Sequence, residues 1–158
     1  MTMPKITDKL RDILEKREFV SIATVSGDGR PNSVPKFFLC AKGDFIYLID
    51  HVMGQTVSNI RENSLVSVSF MDRDALEAYR MNGTAKVLKN GKTYDAMLKE
   101  WNKRVVKLSA DRVIEAIQTG RKRGHYAVEI SEAFSILKIK IESVIKVGRQ
   151  GDIWKETG

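Results

Sequence analysis

Apolar and polar residues alternate along much of the first ninety residues of the chain. In residues 65–71 the alternation is plain, with Val66, Val68 and Phe70 separated by two serines. This period of two is typical of a strand with one buried face. Strands are predicted at Phe19–Val25, Asn32–Ala41, Phe45–Asp50, Leu65–Met71, Tyr79–Leu88, Tyr126–Ile130 and Ile136–Val147. The pattern therefore predicts a mainly β fold of the α+β class.

One predicted strand, Asn32–Ala41, breaks a local rule because it contains Pro35. Proline has no backbone N–H and cannot donate to a strand ladder, so we expect this strand to be irregular there or to lie at a sheet edge. Such local violations often mark functional sites. Residues near Pro35 are therefore candidates for binding.

Helical spacing of apolar residues replaces the alternation in three places. Residues 6–17 predict a short amphipathic helix, and residues 54–63 predict a second short helix after the third strand. From Lys92 onward, apolar residues keep helical spacing opposite a row of lysines. Ser109 is a candidate N-cap for a further helix that ends at Gly120. A helical insertion near residues 92–120 is therefore predicted.

Size and composition favour one globular domain covering residues 1–158. No apolar run approaches the length of a membrane span, and the N-terminus lacks the apolar region of a signal peptide. The single cysteine, Cys40, lies in an apolar strand, where we expect a buried structural thiol. These features predict a cytoplasmic protein with no membrane partner.

Positive charge is concentrated in one part of the chain. The net charge is +7, and residues 86–123 carry eleven Lys/Arg against four Asp/Glu. Such a surplus can mark a polyanion site or form the solvated face of a helix, and we favour the second interpretation. Aromatic residues are sparse on this basic face, so nucleic acid is not an expected partner.

The sequence contains none of the common motifs of enzymes that work without a cofactor. The chain has two histidines, His51 and His125, with no Cys-x-x-Cys or His-Glu-x-x-His arrangement, so no metal site is predicted. Gly-x-Ser-x-Gly and Walker-type loops are also missing from the sequence. If the protein catalyses a reaction, a cofactor is expected to carry the reactive atom.

Short motifs occur in a characteristic order over residues 19–88. They are Ala23-Thr24, Gly29-Arg30-Pro31, Val34-Pro35 with Phe38, Ile49-Asp50, Thr56-Val57-Ser58-Asn59-Ile60, Val66-Ser67-Val68 and Gly83. In this order and spacing the sequence resembles the FMN-binding split barrels of the pyridoxamine 5'-phosphate oxidase-like superfamily. The resemblance implies a split β-barrel and a homodimer that holds FMN non-covalently at its interface. It also implies an oxidoreductase whose electron donor is a small molecule or a redox protein.

The resemblance also implies a set of flavin contacts. They are Ser33, Val34, Pro35 and Lys36 beside the isoalloxazine, Ile49 and Asp50 along the ring and ribityl chain, and Gln55 and Thr56 at the phosphate. Lys36, or Arg80 of a partner subunit, would supply positive charge. The alternatives are a solvent-facing strand lysine for Lys36 and plain helix capping for Gln55 and Thr56.

Two departures from the family pattern limit what can be carried over. Gly54 and Thr56 stand where the pattern has Ser and a phosphate-binding Lys. The C-terminal region from residue 134 has no His and one isolated Arg, Arg149, so pyridoxamine-phosphate oxidation itself is not expected. Trp101 is predicted to lie in the core, whereas Trp154 is the better interface candidate.

Three alternatives remain open on the sequence. The same fold could bind a deazaflavin, or a haem for which His51 is the residue to examine. The third alternative is a non-enzymatic module that binds a polyanion through the basic segment 86–124.

Overall fold

The computed structural model describes residues 5–51, 54–120 and 134–156. The helices are α1 (Asp8–Glu15), α2 (Gln55–Glu62) and α3 (Lys92–Thr119). The strands are β1 (Phe19–Val25), β2 (Pro31–Lys42), β3 (Phe45–Asp50), β4 (Leu65–Asp72), β5 (Glu77–Leu88), β6 (Ser135–Val147) and β7 (Ile153–Glu156). The described strands occur where the sequence predicted them, except that β7 was not predicted, and α1 and α2 also lie at their predicted positions. The strand predicted at Tyr126–Ile130 lies outside the described residues.

The strands form one antiparallel sheet in the order β3-β2-β1-β4-β5-β6-β7. Pairing of β3 with β6 closes β1–β6 into a barrel, and β7 adds to β6 outside the closed part. The predicted mainly β split barrel, with a short helix after the third strand and a late helical insertion, is confirmed.

Alternate residues of each strand point into the barrel and form its core. Ile22, Phe38, Leu48, Val68 and Met81 are fully buried there. α1 covers one opening of the barrel with Leu10 and Leu14, and its first turn is capped by Thr7 Oγ1, which accepts a hydrogen bond from the Leu10 amide at 3.2 Å. A second apolar cluster lies outside the barrel wall, where Met97 and Trp101 of α3 pack on β2 and β3.

The helical insertion is one continuous helix, so the prediction of a second helix beginning at Ser109 is wrong. Ser109 lies in the middle of the 28 residues of α3. No Gly or Pro interrupts the sequence around it, and a single serine in a helix costs only a few tenths of a kcal/mol. The predicted end is confirmed, because Gly120 adopts the left-handed conformation with φ of 65°.

Pro35 lies at a local sheet edge, as predicted. β3 pairs with β2 only from Phe37 to Lys42, whereas β1 pairs with β2 back to Pro31. Residues 31–36 of β2 therefore have a strand neighbour on one side only. The main-chain groups that point away from β1 remain available along this segment, which we call the free edge of β2.

Candidate functional site

Residues predicted to contact a cofactor meet at one end of the barrel. The Lys36 ammonium lies 2.8 Å from Asp50 Oδ1, which joins β2 to the end of β3. Asn32 Nδ2 donates to Thr56 Oγ1 at 3.3 Å, which joins β2 to the first turn of α2. The free edge of β2, the end of β3 and the start of α2 thus form one candidate site.

Lys36 and Asp50 form a buried ion pair. Lys36 is 9% exposed and Asp50 is fully buried. The interpretation of Lys36 as a solvent-facing lysine is therefore wrong. Because the Asp50 carboxylate already balances the Lys36 charge, the ammonium does not act as an unmatched cation for a phosphate.

A polar network fixes α2 against the barrel. Asn32 Nδ2 also donates to Thr24 Oγ1 at 3.3 Å, and Asn59 Nδ2 donates to the same oxygen at 2.9 Å. Gln55 Nε2 in turn donates to Asn59 Oδ1 at 2.6 Å. Thr56 and Asn59 are buried within this network. Their side chains therefore set the position of the helix.

The first turn of α2 has no side-chain cap. Gly54 is the N-cap residue and offers no side chain, and no side-chain hydrogen bond caps this end. The side chains of Gln55 and Thr56 therefore do not cap the helix, which was the alternative interpretation of these residues. The amides of the first turn are oriented toward the helix N-terminus, where the helix dipole favours an anion.

His51 follows Asp50 directly and lies among aromatic rings. Its ring centroid lies 5.4 Å from that of Phe37, 5.9 Å from Trp101 and 6.2 Å from Phe134. Both imidazole nitrogens are buried without a hydrogen-bond partner among the described residues. Burial lowers the pKa of His51 below its usual value, although the neighbouring Asp50 opposes this. Burial therefore favours the neutral form of the ring.

Two more buried polar atoms near His51 lack a partner within the described part of the chain. They are Trp101 Nε1 and Ser135 Oγ. Ser135 is paired directly with Asp50 in the β3–β6 ladder, so its hydroxyl belongs to the same end of the barrel. Buried polar groups are nearly always hydrogen-bonded in proteins, so this region suits a bound water or ligand.

The predictions for the two tryptophans and the cysteine have different outcomes. Trp101 is fully buried, as predicted, and Cys40 is buried with its sulfur 3.6 Å from Met97 Sδ. Burial raises the pKa of Cys40 to about 11. Trp154 is 48% exposed, with the Lys146 ammonium 5.2 Å from its ring. Its place at an interface stays a prediction.

Arg80 is separated from the other predicted residues of the same chain. Pro35 pairs with Ser21, Ser21 with Ser69, and Ser69 with Arg80, so the four residues form one row across the outer face of the sheet. Three strand spacings place Arg80 about 14 Å from Pro35 along the sheet. Its exposed side chain is available to another molecule rather than to the site of its own chain.

Sequence reasoning missed three features of this site. They are the pairing of Lys36 with Asp50, the network through Asn32, Thr24 and Asn59, and the contact of His51 with Trp101. The spacing of Gln55 and Asn59 by four residues on a helix was a usable signal for part of the network. The other contacts join residues eight or more positions apart and depend on strand register or on how α2 and α3 pack.

Residues 5–51, 54–120 and 134–156 contain no group of three or more His, Cys, Asp or Glu side chains that could hold a metal ion. None of the described helices combines the length and apolar character needed to cross a membrane.

Comparison with known proteins agrees with this architecture. HupZ of Group A Streptococcus is 25% identical, with a TM-score of 0.63 over 91% of this chain and 95% of that chain. A pyridoxamine 5'-phosphate oxidase-related, FMN binding protein of Nostoc punctiforme is 13% identical, with a TM-score of 0.60 over 99% of this chain and 98% of that chain. An F420 reductase is 16% identical, with a TM-score of 0.56 over 85% and 94% of the two chains.

No curated protein matches the sequence. The sequence model for pyridoxamine 5'-phosphate oxidase, in contrast, matches residues 6–148, which include every strand of the closed barrel. Three of the short motifs described above, Val34-Pro35, Ile49-Asp50 and Thr56-Val57-Ser58-Asn59-Ile60, lie on β2, β3 and α2, the elements that form the candidate site. The chain therefore belongs to the pyridoxamine 5'-phosphate oxidase family.

Proposed function

We propose that the protein binds FMN non-covalently at the candidate site, at the interface of a homodimer, and uses it as an oxidoreductase. The observation that carries this proposal is the free edge of β2 beside the Lys36–Asp50 pair and the uncapped start of α2. An FMN binding protein of the same fold from Nostoc punctiforme supports the choice of ligand.

Residues of the candidate site fit the parts of a flavin. Free main-chain N–H and C=O groups around Ser33 and Pro35 match the alternating donors and acceptors of an isoalloxazine edge. Val34 is half-buried and provides apolar surface near the ring, whereas Ile49 is 1% exposed and would lie behind it. The amides of Gln55 and Thr56 suit a phosphate. Bound FMN supplies redox chemistry, and the chain supplies position and electrostatics.

Homodimer formation is supported by the outer face of the sheet. Small side chains line the centre of this face on β1, β4 and β5, namely Ser21, Ala23, Ser67, Ser69 and Asn82. Leu65, Met71 and Phe19 at its margins are 60%, 55% and 45% exposed. A flat face of small residues with an apolar margin suits close packing against a second copy. Arg80 on this face would then reach a phosphate in the site of the partner subunit.

The residues of the candidate site also support a proposal for the electron donor. The described residues of the site include no exposed acid or base positioned for catalysis, because Asp50 is buried against Lys36 and His51 lies among aromatic rings, where burial lowers its pKa. A small-molecule or redox-protein donor would therefore reduce the bound flavin directly. Turnover with a reduced nicotinamide, followed by flavin absorbance, tests this step.

Flavin binding is tested by comparing FMN with riboflavin. Gln55→Glu places a carboxylate at the exposed start of α2, where it repels a phosphate, and it also removes the hydrogen bond from Gln55 Nε2 to Asn59 Oδ1. Riboflavin has no phosphate, so its affinity reports the second effect alone. We expect FMN affinity to fall about tenfold, or about 1.4 kcal/mol, because the added carboxylate repels the phosphate. Riboflavin affinity should change much less. Gln118→Glu on α3 is the matched control. Protein that binds neither flavin, or a variant that loses both equally, contradicts the proposal.

A second candidate is the same site with a haem. The observation that favours it is the buried His51 imidazole, whose nitrogens have no partner among the described residues. A haem complex would show a Soret band that His51→Ala removes, whereas FMN binding would survive that substitution. Incubation of the purified protein with FMN, a deazaflavin and haem, followed by absorption spectra, separates the three ligands.

A further inference from the structure

Three lysines converge on the outer wall of the barrel, at the end of β3 opposite the candidate site. Lys86, Lys138 and Lys140 line a groove of about 470 Å³ together with Phe45. Ser64, Thr84 and Ala85 complete the lining. Because β3 runs from Phe45 to Asp50, five residue steps separate the groove from the Lys36–Asp50 pair, or about 17 Å. The groove is a separate feature of the molecule.

Strand register forces two of these lysines together. Lys86 and Lys138 are directly opposite each other in the β5–β6 ladder, and Lys140 is two residues further on the same face of β6. Directly opposed residues have Cβ atoms about 5 Å apart, and like charges in such pairs destabilise a sheet. The two ammonium groups therefore repel each other in the free protein.

Acidic residues do not balance this charge within the described part of the chain. The groove lining there contains no Asp or Glu, and none of the three lysines forms an ion pair with a described residue. The nearest carboxylate on this face of β6 is that of Glu142, which accepts a hydrogen bond from Thr84 Oγ1 at 3.4 Å. An anion in the groove would relieve the repulsion between the lysines.

An aromatic ring forms part of the same groove. The Lys138 ammonium lies 4.5 Å from the centroid of the Phe45 ring. Ala85 lines the groove beside Phe45. A ligand with a phosphate for the lysines and a planar ring for Phe45 would satisfy both parts of the groove.

We propose that the groove of Lys86, Lys138 and Lys140 over Phe45 binds a small organic phosphate that carries an aromatic ring, of the nucleoside monophosphate class. The phosphate lies between the opposed lysines, and the ring packs against Phe45. The volume of the groove suits a ligand of this size. This site is independent of the proposed flavin site and stands whether or not FMN binds.

The experiment measures binding of adenosine 5'-monophosphate and of adenosine by calorimetry. We expect the monophosphate to bind and adenosine not to bind at the same concentration. Lys138→Gln should weaken monophosphate binding about tenfold, because it removes a charge-assisted contact. Lys99→Gln, which removes an exposed lysine from α3, is the matched control and should change nothing.

Two further measurements distinguish a specific phosphate site from nonspecific attraction to basic residues and from the flavin site. Without ligand, Lys138→Gln should melt at about the same temperature as the parent protein, since relief of the repulsion with Lys86 offsets the lost contact with the Phe45 ring. Its FMN affinity should be unchanged. Equal losses in Lys138→Gln and Lys99→Gln overturn the proposal, and so does equal binding of the nucleoside and its phosphate. A thymidine oligonucleotide that binds the same lysines more tightly with increasing length would replace it with a nucleic-acid site.

Discussion

Replacing Lys36 with Met tests whether the buried ion pair organises the candidate site. The substitution keeps the length of the side chain but removes the ammonium that lies 2.8 Å from Asp50 Oδ1. Asp50 is fully buried, so its carboxylate would lose its opposite charge without gaining water. Removing one partner of such a pair costs about 3–5 kcal/mol. That is a large fraction of the ~5–15 kcal/mol by which a domain is stable.

Urea unfolding followed by circular dichroism measures this loss. Lys103→Met is the matched control, because Lys103 lies 3.7 Å from Glu100 in a surface pair and is 76% exposed. We expect its free energy of unfolding to change by less than about 0.5 kcal/mol. The cycle of Lys36→Met, Asp50→Asn and the double variant should give a coupling energy of at least about 2 kcal/mol, because the two groups are in direct contact.

The reasoning is refuted by a Lys36→Met variant that unfolds as easily as Lys103→Met does. That result would mean that water reaches Asp50 in solution and that the pair contributes no more than a surface contact. A large loss with no coupling to Asp50 would also contradict it, because the cost would then come from packing of the lysine chain alone.

Three further predictions concern the core. In a Trp154→Phe variant the remaining Trp101 should be poorly quenched by acrylamide until the protein unfolds, because it is fully buried. Gly83→Ala should lose at least about 2 kcal/mol in urea unfolding, because its Cβ would overlap the Lys140 carbonyl oxygen, whereas Gly27→Ala meets mainly the mobile end of Glu62 and should lose little. Burial raises the pKa of Cys40 to about 11 in the folded protein, against 9.0 for a free thiol. The contribution of this thiol to the free energy of unfolding should therefore be complete below pH 9. It should be lost between pH 9 and 11, because the thiol ionises first in the unfolded chain. Cys40→Ala should flatten that part of the pH profile, and an unchanged profile would contradict the assignment.

Strands were predictable because burial on one face imposes a period of two on the sequence. The predicted Phe19–Val25 and Phe45–Asp50 agree with β1 and β3 to the residue, since turns with Gly define their ends. β7 was missed because its four residues carry no alternating pattern that distinguishes them from a loop. The false break at Ser109 arose because a residue favoured at N-caps is also tolerated inside a long helix.

The contacts between side chains within the candidate site were less predictable than the location of the site. Pro35 marked the free edge of β2 correctly, because the lost N–H is a property of one residue. The pairing of Lys36 with Asp50 depends instead on where β3 ends relative to β2, which local pattern does not determine. The network of Thr24, Asn32 and Asn59 likewise depends on how α2 packs on the barrel.

The two ends of β3 differ in electrostatic character, and this difference separates the two proposed sites. At the Asp50 end the buried lysine is matched by a carboxylate, so main-chain groups and the α2 dipole would hold an anion there. At the Phe45 end, opposed lysines have no acidic partner among the described residues. Exposed charges are screened by salt much more than buried dipoles and pairs are. Binding of a nucleoside monophosphate at the groove should therefore weaken more steeply with added salt than FMN binding at the candidate site does.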